Sequence, residues 1–139
     1  MSIIFKYQQK VLFQHCDPAG IVFYPRYFEM INATVEAWFA SIGLSFGELH
    51  GKRFLGVPTA SIQSRFVAPS RLEDELEWQL GINQTGRSSL ELQIRAHCNG
   101  QPRVHTTLTL VLVDTNSGRP TPWKDHLTAQ QMQLLHAKE

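Results

Sequence analysis

Cysteine is scarce in this chain. Its 2 cysteines, Cys16 and Cys98, are far apart and outside any CxxC or ligand-like spacing, which fits a reducing compartment and excludes a disulfide framework. The 6 histidines are scattered, with no HxxxH or HExxH pair to set two imidazoles on one helix face, so no metal site is expected. No apolar run approaches the length of about 18 residues that spans a bilayer, and no charged-then-apolar leader opens the sequence; the expectation is a soluble, cytoplasmic protein without a signal peptide. An excess of one charge is missing too. With 13 Lys and Arg against 12 Asp and Glu, net charge is +1, which gives no bulk electrostatic case for nucleic acid or an anionic membrane. GxGxxG and GxxxxGKS/T are absent, so neither a dinucleotide cofactor nor a P-loop nucleotide is indicated.

What is present suits one globular domain over residues 1–139, with 42% apolar and 18% charged residues and no repeat or linker. Phe5, Tyr7, Val11 and Phe13 alternate with polar residues through Gln14, the pattern of a half-buried strand about ten residues long. Val57 to Val67 reads as a second strand and Leu76 to Ile82 as a third. Leu90, Leu92, Ile94, Ala96 and Cys98 mark the buried face of a fourth, and Arg103 to Asp114 a fifth, covered on both faces at its apolar end. Asn99-Gly100 signals a hairpin that Gln101-Pro102 is expected to lengthen. Thr128 is placed to cap a short C-terminal helix with Met132 and Leu135 on its apolar face.

The richest stretch is HCDPAGIVFYPRYFEMINATVEAWF, from His15 to Phe39. Pro18 disfavours helical backbone at Asp17, Gly20 allows the chain to reverse, and Pro25 suits a first helical position. Phe28, Ile31, Val35, Trp38, Phe39 and Ile42 then recur at helical steps, and Gly43 is placed to stop the helix. A helix start presents N–H groups without intrahelical partners, able to hold a developing oxyanion. A carboxylate beside one, Asp17, suits acyl transfer, although an acidic turn residue also occurs for purely structural reasons.

Neighbouring side chains are weaker candidates. His15, Cys16 and Asp17 resemble a base, nucleophile and acid in order, but consecutive residues on a strand point to opposite faces; Cys16 is better read as a small buried residue. Glu29 and Glu36, with Arg26 and Asn32 beside them, read as a solvated or interfacial stripe. One helix cannot cover five strands of this length on both faces, which predicts a homo-oligomer, a dimer or a dimer of dimers, with each site built by two chains.

The segments VLFQHCDPAGIVFYPRYFEMINA and FVAPSRLEDELEWQL resemble the 4-hydroxybenzoyl-CoA thioesterase family of hotdog-fold proteins. The resemblance in strand–helix–meander order covers nearly the whole chain. It implies an α+β hotdog fold, a long central helix wrapped by a curved antiparallel five-stranded sheet, with a short C-terminal helix. It matches the family's catalytic Asp to Asp17, which there attacks a thioester carbonyl or activates water, and its oxyanion-holding backbone N–H to Tyr24. Asn32 stands where hydroxybenzoyl-specific members carry an Asp against the ring hydroxyl, which implies only a modest preference for a 4-hydroxy substrate.

The implied substrate is an acyl-CoA, with coenzyme A as part of the substrate and no separate cofactor. Arg87 lies where related thioesterases place basic residues against the nucleotide; Arg119, Ser88 and Ser89 are further candidates. Asn32 and a neighbouring subunit's Thr59, Ser61 or Gln63 are candidate linings of the acyl pocket. Phe23, Tyr24, Tyr27 and Phe28 crowd the helix start, favouring a compact, benzoyl-type or short acyl group over a long fatty chain. Asp17 as nucleophile needs no raised pKa, whereas as a base it does, and the nucleophile is favoured. Two alternatives stay open: a hotdog lyase or dehydratase, which needs a His–acid pair, and a non-catalytic acyl-CoA-binding module, which has no need of Asp17.

Overall fold

A computed structural model describes residues 2–136. Strand β1 (Phe5–Lys10) is followed by a 3-10 turn at Phe13–His15, helix α1 (Pro25–Ser41) and helix α2 (Phe46–Gly51). Then come β2 (Leu55–Gly56), β3 (Thr59–Phe66), β4 (Glu75–Thr85), β5 (Ser89–Cys98), β6 (Gln101–Val111), β7 (Val113–Asp114), β8 (Arg119–Pro120) and α3 (Ala129–Leu135). The main sheet is five-stranded and antiparallel, in the order β1-β4-β5-β6-β3. A three-stranded sheet, β2-β7-β8, stands beside it. The architecture is α+β, with one antiparallel sheet system and few helices.

Helix α1 packs against β1 and β4. Tyr27, Met30, Ile31, Thr34, Val35, Trp38 and Phe39 form its buried face, while Phe28 is only half-buried. Glu29, Asn32 and Glu36 are exposed, and Glu29 pairs with Arg26 at 2.9 Å. The helix ends as its sequence suggests: Gly43 has φ +82°, and the Leu44 N–H returns to the Phe39 carbonyl at 2.8 Å. Gln131 from α3 donates to the Ile42 carbonyl at 3.0 Å. Thr128 caps α3 in a reciprocal pair with Gln131, as its position predicts. Beneath α1 the alternating residues of β4, β5 and β6 form the core: Leu76, Trp78, Leu80, Leu92, Ile94, Ala96 and Val104 are fully buried.

Several elements differ from expectation. The first strand stops at Lys10, and Phe13 is 83% exposed on the 3-10 turn. The Val57–Val67 strand is present but shorter, as β3 (Thr59–Phe66) pairing with β6; ahead of it, outside the expected range, Leu55 and Gly56 form β2 and pair with β7. The last expected strand is shared between sheets, since β6 ends at Val111 and β7 joins β2. Gln101 and Pro102 belong to the ladder, so Asn99 (φ +50°) and Gly100 (φ +79°) make a two-residue turn, and the irregularity falls between Ala96 and His97. Helix α2 was not expected; its start signal is Ser45, whose side chain accepts the Glu48 N–H at 3.1 Å.

Candidate active site

Asp17 sits on a short loop closed from both ends. Cys16 bridges Val22, the Asp17 N–H donates to the Ile21 carbonyl at 2.9 Å, and the Gly20 N–H donates to the Asp17 carbonyl at 2.9 Å. Gly20 takes φ +82°, a conformation that the tight reversal requires and that side-chain-bearing residues rarely adopt. The half-buried Asp17 carboxylate commits Oδ1 to the Ala19 N–H at 2.9 Å, and Oδ2 has no protein partner among the described residues. The loop is carried by its neighbours. Ile21 bridges Arg71, and the Val22 N–H donates to Ser70. Asp74 accepts from the Arg71 N–H and from Arg103 at 2.8 Å. The Arg71 N–H first, and then the Arg103 guanidinium, hold the Asp74 carboxyl below its usual range.

His15, Cys16 and Asp17 do not converge. The buried His15 ring accepts the Leu12 N–H on Nδ1 at 2.8 Å, Cys16 Sγ points to the Leu12 carbonyl, and Asp17 caps Ala19. Burial pushes the His15 imidazole below its ordinary value, with Glu29 opposing and Arg26 adding to the shift. Cys16 is half-buried, Cys98 buried, and both are free thiols.

The helix start lies directly after this loop. The Phe23 N–H is used by the His15 carbonyl at 2.9 Å, the Arg26 N–H by Phe23, and the Tyr27 N–H by Tyr24. Pro25 has none to offer. The Tyr24 N–H is therefore the amide left without an acceptor here among the described residues. Around it the Tyr24 ring meets Phe23, Phe28 and Phe66 edge-on, with centroids 5.7, 6.4 and 5.8 Å away. Phe66 comes from β3 and also stacks on Tyr27 at 5.7 Å. Nothing local in the sequence signals it, because its role depends on the sheet bringing β3 to the helix.

Two cavities flank this region. One of about 470 Å³ is walled by Tyr24, Tyr27, Phe66 and Pro69. A larger one of about 670 Å³ lies between α1, α2 and the sheets, with Phe28, Ile31, Val35, Ile62, Leu108 and Leu110 as apolar wall. Its polar lining comes from Asn32, Thr59, His50 and Thr115. Asn32 and Thr59 are thus brought together within one chain, whereas Thr59 was expected from a neighbouring subunit. Ser61 and Gln63 are not: past an irregularity in β3 they pair with Thr109 and Thr107 and face the other side of the sheet. Asp17 lines neither cavity.

Arg87 is exposed on the β4–β5 turn and shares a cavity of about 330 Å³ with Lys124 and His136. The Ser88 carbonyl accepts the Leu112 N–H, and the Ser89 carbonyl accepts the Trp123 indole at 3.0 Å. Arg119 is exposed on β8 opposite Asp114, apart from that cavity. Among the described residues no group of three or more His, Cys, Asp or Glu side chains gathers to hold a metal, and no helix is long and apolar enough to cross a membrane.

The chain is 31% identical over 84 residues to the 4-hydroxybenzoyl-CoA thioesterase of Pseudomonas sp. (strain CBS-3), covering 59% of this chain and 60% of that one. It is 28% identical over 80 residues to the 1,4-dihydroxy-2-naphthoyl-CoA hydrolase of Synechocystis sp., covering 58% of each. The matched stretches therefore span less than two thirds of either relative's length. The fold superposes on a crystal structure of Slr0204, a 1,4-dihydroxy-2-naphthoyl-CoA thioesterase from Synechocystis, with a TM-score of 0.82 at 20% identity, over 94% of this chain and 93% of that one. The family model described as the thioesterase-like superfamily matches residues 11–131, a span that holds the Asp17 loop, the helix start and both cavities. This chain belongs to the thioesterase-like superfamily.

Proposed function

We propose that this chain is an acyl-CoA thioesterase that hydrolyses aromatic acyl groups, with Asp17 as its nucleophile. The observation that carries this reading is the pairing of an uncommitted carboxylate oxygen, Asp17 Oδ2, with the uncommitted Tyr24 N–H at the end of the same closed loop. Oδ2 attacks the thioester carbonyl, and the Tyr24 amide at the positive end of α1 holds the oxyanion. Collapse expels CoA as thiolate and leaves a mixed anhydride on Asp17; water cleaves it to the acid and restores the carboxylate. One such amide donor is worth about 2.7–4 kcal/mol of barrier. His15 turns its Nδ1 to the Leu12 N–H, which disfavours the His–acid pair of a lyase.

The aromatic preference draws on the apolar wall of the 670 Å³ cavity and on the two relatives, both named for aryl-CoA thioesters. Because that cavity holds Asn32 and Thr59 but not Asp17 or Tyr24, the acyl group bound by one chain meets the carboxylate of another, in a homodimer or a pair of dimers. Arg87, with Ser88 and Ser89 following it in the chain, receives the CoA phosphates, and Arg119 is a further cation for them. The test is kcat/KM, read by a thiol-trapping dye, across benzoyl-, 4-hydroxybenzoyl-, butyryl-, octanoyl- and palmitoyl-CoA. Aryl substrates are expected to lead. Palmitoyl-CoA best by about tenfold or more would contradict the bounded apolar pocket.

A further inference from the structure

His50 has no part in the reaction described above, yet it stands in the wall of the 670 Å³ cavity. Its Nδ1 lies 2.9 Å from the Phe46 carbonyl. A carbonyl can only accept, so Nδ1 carries the proton, and in the neutral ring Nε2 is left as a lone-pair acceptor. The Phe46 ring, edge-on at 5.2 Å, packs against the imidazole. Nε2 has no hydrogen-bond partner among the described residues.

Gly56, on β2, keeps the space in front of that nitrogen open. A Cβ at Gly56 would stand 3.6 Å from His50 Nε2, 3.4 Å from Thr115 Cγ2 and 3.7 Å from Val113 Cγ2. These are ordinary contact distances, and Gly56 is not among the residues at positive φ. Neither backbone conformation nor a clash demands glycine there, and glycine inside a strand weakens it. What its missing side chain leaves is access to Nε2.

A lone acceptor nitrogen in a mostly apolar wall fits one kind of group well: a hydroxyl carried on an apolar body. We infer that His50 is a specificity-determining residue that accepts a hydrogen bond from a ring hydroxyl of the bound aryl group. The inference rests on the thioesterase reading and narrows its substrate class to hydroxylated aryl-CoAs. It also replaces the modest preference that Asn32 alone implies. Asn32 is a neutral amide, whereas His50 Nε2 is a directed acceptor whose donor side is already fixed by Phe46.

The test compares kcat/KM for 4-hydroxybenzoyl-CoA and benzoyl-CoA in the unaltered protein and in His50→Ala, His50→Gln and Gly56→Ala. His50→Ala is expected to lower the hydroxybenzoyl-to-benzoyl ratio by about tenfold, because the hydroxyl loses its acceptor. His50→Gln, which keeps an acceptor oxygen, recovers part of that ratio. Gly56→Ala lowers the ratio with His50 intact, and so tests the inference even if His50→Ala fails to fold. Equal losses on both substrates in folded His50→Ala, or an unchanged ratio in Gly56→Ala, would overturn the inference while leaving the thioesterase reading in place. A ratio that rises in His50→Ala overturns it too. Failure of the unaltered protein to hydrolyse any aryl-CoA would overturn the thioesterase reading and the inference with it.

Discussion

The Phe23 N–H donates to the His15 carbonyl at 2.9 Å. This bond joins the two ends of the loop that carries Asp17 and uses the last amide before Tyr24. The proposed nucleophile and the proposed oxyanion donor are therefore fixed by one local hydrogen-bonded unit rather than by distant packing.

His15 makes that unit pH-sensitive. Its Nδ1 accepts from Leu12 only while the ring is unprotonated there, and burial lowers its folded pKa from 6.5. The unfolded chain therefore takes up the proton first, so the stabilising effect is complete above 6.5 and is lost as pH falls below it. The slope cannot exceed about 1.4 kcal/mol per pH unit for one group. Thermal melts between pH 8 and pH 5.5 are expected to show a smaller loss of Tm in His15→Gln than in the unaltered chain. His105 is shifted the same way, by burial first and then by Arg95, but is common to both proteins. Parallel slopes would show that His15 does not carry the effect.

The free edge of the main sheet predicts association. β3, one of the two edge strands, pairs only with β6 and is exposed along nearly all its length; Ile62 and Phe66 on it and Val67 just after it are 42%, 44% and 45% exposed. A second copy packed on this strand would remove that exposure. Sedimentation at micromolar concentration is expected to show a dimer or a dimer of dimers, with activity per chain falling on dilution in step with dissociation. A monomer with undiminished activity would contradict a site shared between chains.

How much of this could be read from the sequence depended on range. The buried face of β5, the αL glycine ending α1 and the Thr128–Gln131 cap are set by residues a few positions apart, and they appear as expected. The Asp17 turn was legible for the same reason, through Pro18 and Gly20. Phe13 was misread because alternation runs on past Lys10, whereas the Leu12–His15 hydrogen bond curls the chain into a 3-10 turn. β2, β7 and β8 are two residues each and carry no periodicity to detect. The large cavity depends on those strands and on α2. Hence Asn32 was found through the family resemblance, while His50, Gly56 and Phe66 emerged only from the fold.

The central claim is that Asp17 performs the chemistry. The Asp17→Asn variant keeps an oxygen for the Ala19 N–H, so the loop, the Tm and the assembly should be preserved. Its rate of CoA release from benzoyl-CoA and 4-hydroxybenzoyl-CoA is the decisive measurement. The expected result is a fall in kcat of about 100-fold or more in a protein that melts like its parent. A kcat near that of the unaltered chain, in a folded and correctly assembled variant, would contradict it.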